Sequence, residues 1–228
     1  MGDELLAGDV TNTNATWLAE RLTSRGVDVG EIRVVPDDAE RIATAVADLT
    51  DRFASVVVTG GLGSTPDDVT LAAVADALDR PLETNETARE LVAETVREIE
   101  ADYPDFEFDL DAAARFPAGG RPIPNGEGIA PGCVIEDVYV VPGVPEEMRA
   151  VFERVADKFA GAVRSRTVYS TVPESNLNPL LTELRDRFDV RVGCYPEDDR
   201  RRLKLSSSDS ERLERAHEWV RGRPEIEE

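Results

Sequence analysis

The stretch VVVTGGLGSTPDD, residues 56–68, constrains the fold of this chain more than any other. Apolar and β-branched residues lead directly into Gly60, Gly61 and Gly63, and Asp67 and Asp68 follow at once. A short continuous apolar run is typical of a strand buried on both faces. Glycines after a strand let an anion approach the backbone, and a following helix N-terminus favours negative charge there. The stretch therefore predicts a strand, a phosphate-binding turn and a helix.

Helical and strand patterns alternate around this stretch. Helices are predicted over 13–26, 36–53, 67–79, 85–99 and 145–160, and strands over 27–35, 55–59, 133–136 and 138–142. Such an alternation predicts an α/β fold with a mainly parallel sheet. Asp37 and Glu40 have the spacing of a capping box at the start of the second helix.

The pattern changes after Gly161. Strand, helix, strand, strand and helix patterns follow one another to the end of the chain. This order predicts a small α+β module, because strands and helices no longer alternate one for one. The predicted division is an α/β domain over 1–162 and a β-α-β-β-α module over 163–228.

The charge of the chain excludes some classes of partner. The chain of 228 residues has 47 acidic and 26 basic residues, a net charge of −21, and only Lys158 and Lys204 are lysines. A diffuse acidic excess with few lysines indicates a protein adapted to concentrated salt, since screening is needed to limit self-repulsion. No basic stripe is visible, so nucleic acid is not an expected partner.

The expected location is the cytoplasm. No apolar run approaches 18 residues, which excludes a membrane-spanning helix, and residues 1–10 do not have the pattern of a signal peptide. Cys133 and Cys194 are the only cysteines, and we expect two reduced thiols. The alternatives are one disulfide, or a metal site that includes His217, the single histidine.

The glycine stretch does not match the common nucleotide-binding motifs. It lacks the lysine of a P-loop, and Pro66 stands where a dinucleotide fingerprint needs Gly or Ala. The alternative interpretation is a tight turn in which Asp67 caps the next helix.

A divalent metal explains why two aspartates would follow a phosphate-binding turn. Mg²⁺ is commonly held by one or two carboxylates and phosphate oxygens. Asp67 or Asp68 would supply one carboxylate, and Asp37, at the end of a neighbouring strand, would reach the same edge of the sheet. Glu4 could join them from the first loop. Taken singly, Asp37 and Glu4 are also consistent with solvated surface or a helix cap.

Five motifs occur in a fixed order: GDELLAGDVTNTN at 2–14, VVPDD at 34–38, TGGLGSTPDD at 59–68, PNGEGIAPG at 124–132 and VPGVPEEM at 141–148. Together they resemble the molybdopterin-binding domain shared by MogA, MoaB, MoeA and the competence-damage protein CinA, and they are most similar to the CinA branch. The resemblance covers residues 1 to about 160, and the following module resembles CinA's small second domain more loosely. No counterpart of CinA's amidase domain is present, so amidase activity is not implied.

The beginning of the chain departs from the family pattern. The family has a β-strand directly before the first motif, and the first predicted helix here begins near residue 13 with no strand before it. Met1 also stands where the family usually has a small apolar residue. We expect the first strand to lie upstream of Met1, with a valine start codon read as Met1.

The resemblance implies a three-layer α/β/α domain and a ligand with a pterin or nucleotide end and a phosphate or pyrophosphate. In the CinA branch the domain resembles a divalent-metal-dependent pyrophosphatase that acts on ADP-ribose, and related domains are fused to FAD synthases. In MogA-like enzymes the same loops serve adenylyl transfer to molybdopterin. By motif match, the functional aspartates are Asp37 and Asp68.

Each candidate residue receives an expected role. Asp37 and Asp68 hold Mg²⁺ or another divalent metal, and Glu4 is a third carboxylate or the base for the attacking water. The residues expected to bind phosphate or the rest of the ligand are Gly60, Gly61, Gly63, Ser64, Thr65, Asn125, Gly128, Pro131, Gly132, Gly143 and Pro145. Asn12 and Asn14 either read the ligand's polar edge or cap the first predicted helix.

Three functions remain open at this point. The first is metal-dependent hydrolysis of a nucleotide pyrophosphate, and the second is molybdenum-cofactor biosynthesis with molybdopterin as the ligand. Asp67 favours the first, because the biosynthetic enzymes usually carry an arginine at that position. The third is ligand binding without catalysis. The resemblance also implies a homo-oligomer, either a dimer or a trimer.

Overall fold

A computed structural model describes residues 1–103 and 105–227 of the chain. The chain divides into two compact units. The first contains residues 1–20 and 30–158, and the second contains residues 21–29 and 159–228. The sequence predicted that residues 21–29 belong to the first domain, but in the structure they belong to the second unit.

The first unit alternates helices with short strands. Its helices are α1 (Asp3–Ala7), α2 (Thr13–Ser24), which continues into the second unit, α3 (Ala39–Arg52), α4 (Thr70–Ala77), α5 (Glu86–Asp102), α6 (Leu110–Ala113) and α7 (Pro145–Glu153), followed by a 3₁₀ turn at Ala156–Lys158. Its strands are β1 (Val56–Thr59), β2 (Leu82–Thr84), β3 (Arg115–Pro117), β4 (Arg121–Ile123), β5 (Gly132–Ile135) and β6 (Val138–Val141).

The main sheet of this unit has the strand order β1-β6-β5-β4. β1 pairs in parallel with β6, from Val56 opposite Val138 to Thr59 opposite Val141. The pairs β5–β6 and β4–β5 are antiparallel. The α/β fold is confirmed, but the sheet is mixed and not mainly parallel, because β5 and β6 form a hairpin whose short turn includes Glu136 at a φ of 51°.

The strand predicted over 27–35 is not formed. This segment has no regular secondary structure, and its one backbone hydrogen bond beyond Val27 is from the Gly2 N–H to the Val35 carbonyl, at 3.2 Å. Alternating side chains suggested a strand, but a strand also needs a neighbour that pairs with its backbone. No strand of the described residues lies beside it.

The core of the first unit lies between β1, β5, β6 and the helices that cover them. Helix α3 contributes an apolar stripe that includes Ile42, Ala43 and Val46, all buried. Strands β5 and β6 are buried along their full length, which is typical of strands covered on both faces. These contacts hold the carboxyl end of β1 in place, where the glycine turn begins.

The second unit is the predicted small α+β module. It has a three-stranded antiparallel sheet in the order β7 (Arg164–Ser170), β9 (Arg201–Ser207), β8 (Arg191–Pro196). Helices α8 (Glu174–Phe188) and α9 (Ser210–Arg221) pack their apolar faces around Leu177, Leu184 and Leu213, which are fully buried. Asp209 caps α9 by accepting a hydrogen bond from the Arg212 N–H. Within the described residues, no helix of either unit is long and apolar enough to span a membrane.

Candidate functional site

A pocket of about 280 Å³ opens at the carboxyl end of β1 in the first unit. Its walls come from the first, second, third and fifth motifs, that is, from the start of the chain, the segment before α3 and the loops that follow β1 and β6. Its lining residues are Met1, Gly2, Glu4, Leu5, Val10, Thr11, Asn12, Thr13, Asn14, Asp37, Thr59, Gly60, Gly61, Asp67, Asp68, Gly143 and Pro145. The pocket therefore brings together the three predicted carboxylates, three of the predicted glycines (Gly60, Gly61 and Gly143), and Asn12 and Asn14.

The glycine turn has a backbone that requires glycine. Gly60 and Gly61 have φ values of 105° and 62°, a region that other L-residues rarely adopt. A Cβ on Gly61 would lie 2.2 Å from Oγ1 of Thr70. That hydroxyl is buried and donates to the Gly60 carbonyl at 2.9 Å, so the turn is tied directly to the first residue of α4.

Asp68 closes the second half of the turn. Its Oδ2 accepts hydrogen bonds from the Thr65 N–H at 2.9 Å and the Thr65 hydroxyl at 2.6 Å. A Cβ on Gly63 would lie 2.5 Å from the same oxygen, so a larger residue there would displace the Asp68 carboxylate. Gly63, Ser64 and Thr65 do not line the pocket, and their contact with phosphate stays a prediction.

Helix α4 begins at Thr70, three residues later than the sequence indicated. Its N-cap residue is Val69, which makes no side-chain cap. The alternative in which Asp67 caps this helix is therefore wrong. Asp67 is exposed and lines the pocket together with Asp68.

Asp37 is free for the pocket because its neighbour caps α3. The Asp38 carboxylate accepts from the Arg41 N–H at 2.9 Å, so the capping box predicted from Asp37 and Glu40 is wrong by one residue. Asp37 instead accepts from the Asp3 N–H at 3.1 Å. This bond joins the second motif to the first.

A positive charge lies beside these carboxylates. The Met1 ammonium donates to the Thr59 carbonyl at 2.7 Å. Burial lowers the pKa of this ammonium, while attraction to Asp37 and Glu4 partly offsets that effect. Met1 was not predicted as a site residue, because side-chain patterns carry no information about a terminal charge.

Asn14 connects two walls of the pocket. Its Nδ2 donates to the Gly143 carbonyl at 2.7 Å and to the Thr59 hydroxyl at 3.4 Å. The Thr59 hydroxyl donates to the Pro142 carbonyl at 2.9 Å, so it must accept from Asn14, which fixes the orientation of the amide. Oδ1 of Asn14 is buried and has no hydrogen-bond partner within the described residues. It is an unused acceptor at the pocket wall.

Asn12 and Asn14 differ in role, although the sequence did not separate them. Oδ1 of Asn12 accepts from the Ala15 N–H at 3.0 Å, as a residue that caps a helix does. Asn12 therefore caps α2 and lines the pocket, whereas Oδ1 of Asn14 caps nothing within the described part of the chain.

The loop of the fourth motif packs away from this pocket. Asn125 donates to the Ala130 carbonyl at 2.9 Å and to Glu147 on α7 at 2.7 Å. A Cβ on Gly128 would lie 2.3 Å from the Glu147 carboxylate. The predicted ligand-binding residues Asn125, Gly128, Pro131 and Gly132 are not among those lining the pocket, so the structure does not bring them to the other site residues.

Helix α7 begins at the pocket. Pro145 is its first residue, as predicted, and its N-cap residue Val144 makes no side-chain cap. Gly143 and Pro145 line the pocket, and the uncapped N–H groups of a helix start attract anions.

The available donors fit Mg²⁺ only if a ligand completes the set. Among residues 1–103 and 105–227, no three His, Cys, Asp or Glu side chains form a group that could hold a metal alone. Glu4, Asp37 and Asp68 nevertheless line one pocket. Mg²⁺ commonly takes one or two protein carboxylates and completes its shell with phosphate oxygens and water, so these residues fit a metal that binds together with a phosphate ligand.

The two cysteines take no part in this site. Both are free, with Cys133 buried and Cys194 partly exposed, as expected for reduced thiols. Burial raises the pKa of Cys133 to about 12, which suppresses the reactive thiolate.

Comparison with known proteins identifies relatives of both units. Residues 1–161 match the family described as "Probable molybdopterin binding domain", and residues 162–226 match the middle domain of FAD synthase. A protein of Archaeoglobus fulgidus is 34% identical over 95% of this chain and 92% of its own length. A protein of Pyrococcus abyssi is 33% identical over 98% of this chain and 94% of its own length.

A solved structure supports the same relationship. The CinA protein of Thermoplasma acidophilum, described as a protein of unknown function, is 32% identical, with a TM-score of 0.61. The similarity covers 69% of this chain and 93% of that one. The motifs that resembled the CinA branch thus correspond to a similarity in three dimensions.

Proposed function

This chain belongs to the family of probable molybdopterin-binding domains, and from that premise we propose that its pocket binds a nucleotide pyrophosphate and hydrolyses it with a divalent metal. One observation carries the proposal: Glu4, Asp37 and Asp68 share a pocket with the glycine turn. A divalent metal that binds these carboxylates and the phosphate oxygens together would let a negatively charged ligand bind beside them.

The glycine turn and the start of α7 would hold the phosphates. Gly60 and Gly61 expose backbone rather than side chain to the pocket, and Pro145 places the start of α7 at its wall. Such groups bind phosphate through N–H donors and the helix dipole. The turn's hydrogen bonds to Thr70 fix its shape before the ligand arrives.

The three carboxylates would bind the metal and activate water. Asp37 and Asp68 would hold the metal, which neutralises phosphate charge when it is bound. Glu4 is exposed at the pocket wall, where its carboxylate can accept the proton of the attacking water. Water oxygen then bonds to phosphorus, one bridging P–O bond breaks, and ADP-ribose yields AMP and ribose 5-phosphate.

Asn14 supports recognition of the organic end of the ligand. A buried amide oxygen without a partner costs free energy, about 1–3 kcal/mol for a typical group. A ligand N–H or O–H that reaches Oδ1 would recover that cost. Both adenine and a pterin offer such donors, so the Asn14 acceptor does not distinguish a nucleotide ligand from a pterin ligand.

The test is AMP formation from ADP-ribose in molar KCl, with Mg²⁺ or Co²⁺ compared with EDTA. We expect metal-dependent AMP release by the native chain and almost none by Asp68→Asn. Asn keeps an oxygen that can accept from Thr65, so the turn should remain folded. Asp76→Asn, which removes an exposed carboxylate on α4 outside the pocket, is the matched control and should keep full activity.

Molybdopterin binding is the second candidate, favoured by the family match over residues 1–161. If the folded native chain binds molybdopterin and releases no AMP with any metal, this function replaces the first. Consumption of ATP in the presence of molybdopterin would then distinguish adenylyl transfer from binding alone.

A further inference from the structure

A second pocket, of about 310 Å³, lies within the second unit, between the end of α8 and the start of α9. Its lining residues are Arg187, Phe188, Asp189, Arg212 and Arg215. Three positive charges and one negative charge give this lining a formal charge of +2, in a chain whose net charge is −21. We call this space the arginine pocket. Its charge favours an anion, although the chain as a whole repels one.

Arg187 is held in place by two aromatic rings. Its guanidinium carbon lies 5.5 Å from the centre of the Phe188 ring and 5.6 Å from the centre of the Trp219 ring. Its ion pair with Glu183 is long, at 3.8 Å, and the same carboxylate also pairs with Arg223 at 3.2 Å. A guanidinium stacked on aromatic rings still presents its N–H donors at its edge. The donors of Arg187 are therefore available to a ligand.

Arg212 stabilises the end of α8. It bonds to the Asp189 carboxylate and, at 3.3 Å, to the Asp189 carbonyl, and it lies 3.6 Å from the Asp209 carboxylate. Asp189, with a φ of 50°, is the residue that ends α8. Cations at this end of a helix offset the negative end of its dipole. Arg212 is thus explained by the fold, and it partly neutralises Asp189.

Arg215 is not explained in this way. Its side chain is exposed, and it forms no hydrogen bond or ion pair with any residue of 1–103 or 105–227. Glu211 and Glu218 lie one turn away on α9, but neither lines the pocket. An arginine that neither caps a helix nor pairs with a carboxylate adds positive charge to a pocket that already contains two arginines.

We propose that the arginine pocket binds a small phosphate compound with at least two negative charges. Arginine binds phosphate through paired N–H donors. Arg187 comes from α8 and Arg215 from α9, so their donors converge from two elements on one ligand. A volume of about 310 Å³ is near the lower limit for ligand pockets, which suits a diphosphate group, and the Phe188 ring supplies an apolar wall.

This site belongs to the second unit, and it does not depend on the function proposed for the first. Binding can be measured in EDTA, where the carboxylates of the first pocket have no cation with which to hold a phosphate. A result at the arginine pocket therefore stands whether or not the chain hydrolyses a nucleotide.

The experiment titrates the full chain with inorganic pyrophosphate in EDTA, at the lowest KCl concentration that preserves the native circular dichroism spectrum. Nuclear magnetic resonance of backbone amides and arginine Nε–H groups locates the binding. We expect saturable shifts at Arg187 and Arg215. Arg215→Gln should weaken binding at least about tenfold, because a charge-assisted contact is lost. The matched control is Arg221→Gln, which removes an exposed arginine of α9 outside the pocket. It should bind about as tightly as the native chain.

Two outcomes of the titration would overturn the proposal. Equal weakening in the two variants would show that net charge alone governs binding. Shifts confined to the first unit, or no saturable shift, would place no phosphate at the arginine pocket. Unfolding midpoints of both variants complete the test. A lower midpoint for Arg215→Gln with native pyrophosphate affinity would assign Arg215 a purely structural role and would also contradict the proposal.

Discussion

The glycine turn at 59–68 and the loop at 124–132 look alike in the sequence and differ in the structure. Each contains three glycines and at least one proline, and each is one of the five motifs shared with the family. The turn presents Gly60, Gly61 and Asp68 to the pocket. The loop uses Asn125 to bond with Ala130 and Glu147. A motif glycine can therefore line a pocket in one loop and permit internal packing in the other.

The largest expected effect concerns the two carboxylates proposed to hold the metal beside the glycine turn. Asp37→Asn and Asp68→Asn should each lower metal-dependent AMP release by at least about a hundredfold, because each removes a metal ligand. The unfolding midpoint should change little. Rates measured at saturating Mg²⁺ check this, and a rate within threefold of native, an effect of about 0.7 kcal/mol, would remove that aspartate from the mechanism.

The second prediction compares one glycine from each region. Gly61→Ala should destabilise the chain by about 1–3 kcal/mol through backbone strain at positive φ, and should also weaken nucleotide binding. Gly132→Ala should be destabilising as well, because its Cβ would lie 2.6 Å from the Val151 side chain. Its ligand affinity should stay native. Urea unfolding and nucleotide titration measure both quantities, and similar loss of affinity in both variants would remove the distinction.

The third prediction concerns the polar contact inside the loop. Asn125→Ala should cost about 1–3 kcal/mol, because the Ala130 carbonyl and Glu147 lose their donor. The KM for ADP-ribose should remain within twofold of native. Denaturant unfolding together with steady-state kinetics tests this, and a large rise in KM with native stability would place the loop at the ligand after all.

The smallest expected effect is the reactivity of Cys133, which directly follows the loop. Its pKa of about 12 lies above the ordinary value of 9.0, so little thiolate exists at pH 8. Iodoacetamide should modify Cys194 well before Cys133 in the folded chain. Saturating nucleotide should leave this order unchanged, and rapid Cys133 modification on ligand addition would show that the loop opens.

Local patterns predicted the parts of the fold that depend on neighbours in the chain. The helix predicted over 85–99 begins where Asn85 caps α5 through the Ala88 N–H, and Pro145 begins α7, because capping and fixed proline φ are local effects. The glycine turn was also predictable, since an apolar run followed by glycines is typical of a strand that ends in a turn.

Other features depend on hydrogen-bond and strand-pairing partners that a local sequence pattern does not identify. Asp37 and Asp38 are equally good caps by composition, and only the structure shows that Asp38 bonds to Arg41. The 27–35 segment alternates like a strand but pairs with no strand of the described residues. Asn125 and Asn14 are both motif asparagines, yet one satisfies its amide on Glu147 and the other keeps a free oxygen.

Mn²⁺ binding followed by electron paramagnetic resonance tests the central claim most directly. The two-carboxylate site predicts that a non-hydrolysable ADP-ribose analogue increases the bound Mn²⁺ strongly, because the analogue's phosphates complete the metal's ligands. In the double variant Asp37→Asn, Asp68→Asn this increase should disappear while the protein stays folded. Equal Mn²⁺ binding with and without the two aspartates would contradict the claim that they and the pyrophosphate hold one metal between them.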